Sequence, residues 1–385
     1  MERSLSASMR IKPKTGLNAA KNCYSIDFFS NANKIKRDCC VFTAQQSNAF
    51  RDLPDHDEVP SMFKVITDTS ANLDQQWLIQ NDVPVIPFHY YVGGKDNTCT
   101  NTRGFDGAAF YSAMRAGEKV TTSQITPQAY LDTFRPILEA GQDILYVSMS
   151  SGISGSYSQS QFAARELKED FPERTIHTVD TYGASLGEGL LVVKAVECRN
   201  QGISLEDTYQ LLQKLRHSMC QVFTVDDLKY LHNTGRLSNM AALVGMVLNI
   251  KPLLKGDTEG RIVSFAKVRG RKKSILGLAE QYDKYVRDAD QQMIGIAHAD
   301  CQEDVDYLIS LLKQKHPPKE IMTVMYEPVT GSHVGPGTVA LFFFGDDKFR
   351  GAGESLLSTI TQKVDEGKEA IRSTIGQIKG GKNDK

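Results

Sequence analysis

The 385-residue chain has little that marks a nucleic-acid binder, a secreted scaffold or a membrane protein. Its 45 basic and 46 acidic side chains leave a formal net charge of −1, so no global basic face is available to nucleic acid. No apolar run approaches the ~20 residues of a membrane span. The N-terminus lacks the apolar core of a secretory signal. Seven cysteines are scattered without a Cys-x-x-Cys pair, and the adjacent Cys39 and Cys40 are poorly placed to chelate one metal. Such thiols fit a reducing, cytoplasmic setting better than a disulfide framework or a metal site. A phosphate-binding Gly-x-x-x-x-Gly-Lys-Ser/Thr loop and the kinase loop set are also missing, so any ATP chemistry belongs to another protein.

What is present is an ordinary globular body with unusual ends. Residues 1–61 are basic and Ser/Asn/Lys-rich, then acidic, with no sustained period of 3.6 or 2.0. This composition predicts a disordered segment. Met62-Phe-Lys-Val-Ile-Thr-Asp68 then reads as a strand, so Met62 is expected to be the natural start and 1–61 a mis-called extension. The tail 346–385 carries Leu357, Ile360, Val364, Ile371, Ile375 and Ile378 as roughly one helical stripe. Such a helix would pack on the body or a twin chain, or dock on a partner or a membrane surface.

Between these ends, strand and helix patterns alternate. Residues 62–222 read as a parallel, doubly wound α/β domain. Helices are expected at about 74–82, 108–116, 127–140, 156–169 and 184–200, and one buried strand at 83–92. Thr126 and Ser204 are helix caps, Pro127 fills a first helical position, and Gly141 is a stop. In the helix at 156–169, Tyr157, Gln161, Ala164 and Leu167 share one face. Residues 223–345 read as a second α/β domain, with a strand pair around Asp257-Thr-Glu-Gly260 and a Gly-rich turn, Gly331-Ser-His-Val-Gly-Pro-Gly337.

Ligands of such sheets collect beyond the carboxyl ends of the strands. Asp68-Thr-Ser70, Thr122-Ser-Gln124 and Asp180-Thr181 fall there. So does Ser148-Met-Ser-Ser-Gly-Ile-Ser-Gly-Ser-Tyr157, a strand, a Ser/Gly turn and a helix start. Gly152 and Gly155 would let backbone approach a ligand closely, and the helix start suits an anion. With hydroxyls such as Ser154 and no Lys or Arg in the loop, the expected anion is small, such as a carboxylate, rather than a polyphosphate.

These motifs together resemble the DegV family. They are Ile66-Thr-Asp-Thr-Ser-Ala-Asn-Leu73, Thr122-Ser-Gln124, Ser150-Ser-Gly-Ile-Ser-Gly-Ser-Tyr157, Leu228-Lys-Tyr-Leu231 with Gly235-Arg-Leu-Ser238, Asn249-Ile-Lys-Pro252 and His333-Val-Gly-Pro-Gly337. Each is short, but all six stand in the family's order over about 62–345. The resemblance implies a two-domain protein that holds one long-chain fatty acid between its domains, as carrier subunit for a separate, ATP-binding bacterial fatty acid kinase. Carried over, Ser123 bonds the carboxylate and His333 completes the site, with Thr122 and Ser154 as neighbouring hydroxyls. The family's Thr before a Phe-Tyr helix is here matched by Asp106, which would repel a carboxylate, so either the match slips there or another hydroxyl such as Thr102 supplies the third contact. Arg236, with Arg269, Arg271, Lys272 and Lys273, is expected to receive the kinase. No further cofactor is implied. The competing expectation is a stand-alone hydrolase or acyl or phosphoryl transferase using the Ser-rich crevice and His333.

Overall fold

The computed structural model describes residues 63–99, 104–237 and 249–351. The extension 1–61, Met62, Thr102 and the tail stripe 357–378 lie outside the described residues.

The first part of the chain runs β1 (Lys64–Asp68), α1 (Gln75–Gln80), β2 (Val85–Ile86), β3 (His89–Val92), β4 (Lys95–Thr98), α2 (Gly107–Arg115), β5 (Val120–Ser123), α3 (Pro127–Glu139), β6 (Ile144–Ser148), α4 (Ser156–Asp170), β7 (Ile176–Asp180), α5 (Leu186–Asn200) and α6 (Leu205–Ser218). It continues with β8 (Met219–Thr224), α7 (Lys229–Asn233), β9 (Ile250–Gly256), β10 (Ile262–Arg269), α8 (Arg271–Tyr285), β11 (Met293–His298), α9 (Gln302–Lys315), β12 (Glu320–Met325), α10 (Pro328–Val334), β13 (Val339–Phe344) and α11 (Lys348–Gly351).

Three sheets result. A parallel sheet has the order β2-β1-β6-β7, and a mixed one the order β10-β9-β8-β13-β11-β12. A small antiparallel sheet, β4-β3-β5, stands beside them. β6 is buried at every position, as a parallel strand covered on both faces must be. One face, through Ile66, Ile144 and Tyr146, packs with Tyr130, Phe134 and Leu167 of α3 and α4. The other, through Val65, Leu145 and Val147, joins a core that continues into Phe223, Ala297, Ala340 and Phe342 of the mixed sheet.

Helix α5 is the wedge between the two large sheets and touches strands of both. Its small residues make that possible. A Cβ on Gly187 would lie 3.2 Å from the Phe342 ring, and one on Gly189 would lie 2.5 Å from the Ala71 carbonyl oxygen.

Local signals in the sequence explain several helix starts. The Thr126 hydroxyl accepts from the Ala129 N–H at 3.3 Å, with Pro127 in the first turn. The Ser204 hydroxyl accepts from the Asp207 N–H at 3.1 Å and donates to its carboxylate at 2.7 Å.

Two expectations need correction, and α4 shows which of its faces is buried. The stretch 83–92 is two strands, not one: Val85 and Ile86 pair with β1, while His89–Val92 pairs with β4 and β5. Pro87 separates them, because a proline cannot donate to a ladder. The buried face of α4 is Ser156, Ser160, Ala163 and Leu167, so of the four residues named only Leu167 is buried. The small residues at 156, 160 and 163 let the helix lie close to the sheet. His333 is not in a turn. It lies in the last turn of α10, which begins at Pro328 and is capped by the buried Glu327, whose carboxylate accepts from Val329 and Thr330 N–H at 2.5 and 2.7 Å. Gly335 and Gly337, at φ 81° and 78°, then turn the chain into β13.

Candidate functional site

An internal cavity of about 190 Å³ opens between the sheets. One buried water needs about 10–15 Å³ on the same measure, so the space suits an extended molecule. Its apolar walls include Phe88, Met149, Ile153, Phe223, Leu231 and Phe342. Thr122, Ser123, Ser154, Arg236 and His333, the residues singled out from sequence, all line it. On the sequence, Ile153, Met240, Leu243, Met246, Val247, Phe265 and Phe342 are candidates to line a lipid tail, and of these Ile153 and Phe342 are in the wall. Phe265 packs against the core on the outer side of the mixed sheet, and Met240, Leu243, Met246 and Val247 lie outside the described residues.

The polar patch is built by β5 and α10. The Thr122 hydroxyl lies 2.8 Å from His333 Nε2. His333 Nδ1 is buried and has no partner among the described residues. Burial, and then the neighbouring Arg236 guanidinium, hold the imidazole down at about 4, so the ring is neutral at neutral pH. A neutral ring carries one proton. With that proton on Nδ1, the Thr122 hydroxyl donates to Nε2, and Nδ1–H is left without an acceptor among the described residues. One helical turn earlier, Thr330 also lines the cavity, and its buried hydroxyl sits beside the Glu327 carboxylate. Sequence reasoning missed Thr330; its i, i+3 spacing to His333 was the available signal once the segment is known to be helical. Burial raises the Glu327 carboxyl at the start of this helix to about 7, although the Thr330 hydroxyl and then the N–H donors it caps pull it down.

Arg236 is half-buried in the cavity wall and donates to the Thr234 carbonyl oxygen. The other basic residues are divided in their roles. Arg271 bonds the Asp304 carboxylate at 2.9 Å and the Gly337 carbonyl oxygen, whereas Arg269, Lys272 and Lys273 are exposed. Asp106 is away from the cavity and caps α2 by accepting from the Ala109 N–H at 3.0 Å.

The Ser/Gly turn is shaped by protein contacts. A Cβ on Gly152 would lie 2.6 Å from the Glu259 carbonyl oxygen and 2.8 Å from the Arg261 nitrogen. The Ser150 hydroxyl donates to the Gly260 carbonyl oxygen at 3.0 Å. The β9–β10 hairpin therefore clamps the turn, and Gly152 serves that contact. A Cβ on Gly155 would strike the Gln124 side chain at 2.1 Å.

Asp68, Thr69 and Asn72 lie beneath the cavity as a hub. Asp68 accepts from the Met149 N–H at 3.5 Å, and the Thr69 hydroxyl accepts from the Phe88 N–H at 3.1 Å. Asn72, left-handed at φ 55°, donates to the Ser185 hydroxyl and accepts from the Glu327 N–H, both at 3.2 Å. Among the described residues no cluster of His, Cys, Asp and Glu is fit to hold a metal ion.

The fold and cavity define a class: a two-sheet α/β protein enclosing an apolar space with a neutral hydroxyl and imidazole patch. The family model described as "Uncharacterised protein, DegV family" matches residues 62–346, and the chain belongs to that family. It is 35% identical over 286 residues to a DegV domain-containing protein of Clostridium perfringens, covering 74% of this chain and 98% of that relative. Among solved structures it is similar to a DegV family protein from Thermus thermophilus described by its fatty acid binding, with TM-score 0.68 and 27% identity over 74% of this chain and all (100%) of that one. It is also similar to a fatty-acid-binding DegV family protein from Streptococcus agalactiae, with TM-score 0.65 and 29% identity over 74% and 99% of the two chains.

Proposed function

We propose that this chain binds one long-chain fatty acid in the cavity and presents its carboxylate to a separate, ATP-using fatty acid kinase. The observation that carries the binding is the buried Nδ1 of His333, unpartnered among the described residues, in a largely apolar space with Ser123 in the same wall. A buried carboxylate must have its hydrogen bonds met, and these are neutral donors of the right kind. Burial of the tail stabilises by roughly 0.8 kcal/mol per methylene, on the order of 10 kcal/mol gross for a C16–C18 chain. Immobilisation offsets much of it.

On this reading the cavity lies between a first domain ending near 222 and a second, 223–345. The acid becomes an acyl phosphate while still held, and Arg236, beside His333, meets the phosphate-bearing partner. The work is done in the cytoplasm, with lipid exchanged by peripheral contact with a membrane surface. Among the described residues no helix is long and apolar enough to cross a membrane.

A second reading, a stand-alone hydrolase or acyl or phosphoryl transferase, draws on the Thr122–His333 pair at 2.8 Å. It is disfavoured because Nδ1 has no carboxylate to orient the ring, unlike the base of a catalytic triad. Organic extraction and mass spectrometry of the purified protein separate the readings. A stoichiometric long-chain fatty acid is expected. An empty extract together with intrinsic ester hydrolysis would reverse the order.

A further inference from the structure

One buried cluster stands apart from the cavity wall. The Ser70 hydroxyl lies 2.5 Å from an oxygen of Asp68 and 2.5 Å from an oxygen of Glu188. A serine has one hydroxyl proton and can donate to only one of them. Asp68 is 1% exposed and Glu188 is fully buried, so two ionised carboxylates there, one of them without a donor at Ser70, are strongly disfavoured.

The count of donors tells the two acids apart. Besides Ser70 O–H, Asp68 receives the Ser70 N–H at 2.9 Å, the Tyr146 hydroxyl at 2.7 Å and the Met149 N–H at 3.5 Å. Glu188 has the Thr67 hydroxyl at 2.9 Å, and that hydroxyl is also 3.0 Å from the Val147 carbonyl oxygen. The titratable groups facing the pair are Tyr146 from β6, Tyr130 from α3 and Glu327 at the start of α10, all acids. Burial raises both carboxyls, and the Asp68 charge raises Glu188 further.

We propose that Glu188 is a carboxylic acid in the working protein, that it donates to Ser70, which donates to an ionised Asp68, and that this relay positions the cavity walls. Glu188 thereby acts through other residues and is a positioning residue. One end of the relay fixes Met149, which lines the cavity. The other is anchored on α5, just after Gly183 and Ala184 of the opposite wall. Tyr146 extends it to Tyr130, whose hydroxyl is 3.1 Å away. No group outside the chain is needed to balance the protons: the acid proton rests on Glu188 and the negative charge on Asp68.

The proposal rests on the fatty-acid reading, and two amide substitutions test it in the full chain with radiolabelled palmitate as probe. Glu188→Gln keeps an N–H donor toward Ser70, so palmitate affinity should stay within about twofold of wild type. Asp68→Asn replaces an anion by a group that cannot accept all its donors, and should weaken binding about tenfold or more. Glu327, at about 7, also carries a proton part of the time at neutral pH, so the infrared band of protonated carboxyl groups should lose the Glu188 component in Glu188→Gln and keep that of Glu327. Equal tolerance of the two substitutions, the reverse order, or an unchanged infrared spectrum of Glu188→Gln would overturn the assignment. Should Asp68→Asn not fold, the infrared comparison still decides. Wild type that binds no palmitate while the band behaves as expected would sink the fatty-acid reading and leave the proton assignment standing.

Discussion

Thr122 and His333 offer the most direct test of how the polar patch works. Thr122→Val removes the hydroxyl that holds Nε2 at 2.8 Å and keeps the side-chain shape. One neutral hydrogen bond contributes about 1 kcal/mol, so palmitate affinity should fall about fivefold. His333→Ala removes a donor to the ligand's charge, about 1.5–3 kcal/mol, or roughly 10- to 150-fold in affinity. If Thr122 acts by steadying the ring, it has nothing to steady once the ring is gone. The double variant should then bind no worse than His333→Ala, a coupling of about 1 kcal/mol. The assay is titration of palmitate into delipidated protein by calorimetry. Additive losses would show that Thr122 works independently of His333, and wild-type affinity in His333→Ala would refute the site.

Other outcomes follow from the same geometry. The His333 ring titrates near 6.5 when unfolded and at about 4 in the fold. Its contribution to stability is therefore complete above about 6.5 and is lost as pH falls through about 4. The melting temperature of delipidated wild type should drop more steeply over this window than that of His333→Asn; equal slopes in thermal melts would count against a neutral, buried ring. Gly152→Ala places a methyl group 2.6 Å from the Glu259 carbonyl oxygen, and that backbone must shift. A loss of about 1–3 kcal/mol is expected in denaturant unfolding; an unchanged midpoint would refute the clamp. Arg236→Ala should slow acyl-phosphate formation by a partner kinase more than it lowers lipid retention. Equal losses would assign Arg236 to lipid binding instead.

Alternation of strand and helix patterns was enough to read the α/β architecture, because a parallel strand such as β6 carries an unbroken apolar run, Ile144 to Val147, bounded by turn residues. Caps at Thr126 and Ser204 were legible for the same reason: they depend on neighbours in sequence. The polar patch was partly legible. Thr122 and Ser154 stood out as hydroxyls at expected strand ends and turns, whereas Ser123 and His333 were marked out by what the family resemblance implies. Thr330 did not, since a threonine beside glycine reads as turn filler until Glu327 and Pro328 are seen to start a helix. Glu188 was hidden more deeply. An acid in a helix ordinarily marks the solvated face, and its inward position is set by the long-range contacts of Thr67 and Ser70. The role of Gly152 also depended on a partner far along the chain, the 259–261 backbone.

Helix α5 carries one last consequence. Its buried side chains are shared by strands on either flank, and Gly295 leaves only 2.8 Å between an added Cβ and Leu186. A gene cut near codon 222 would strip this helix of half its covering. The amino-terminal fragment made alone should precipitate or pair with itself, and co-expression with the missing half should restore a monodisperse protein.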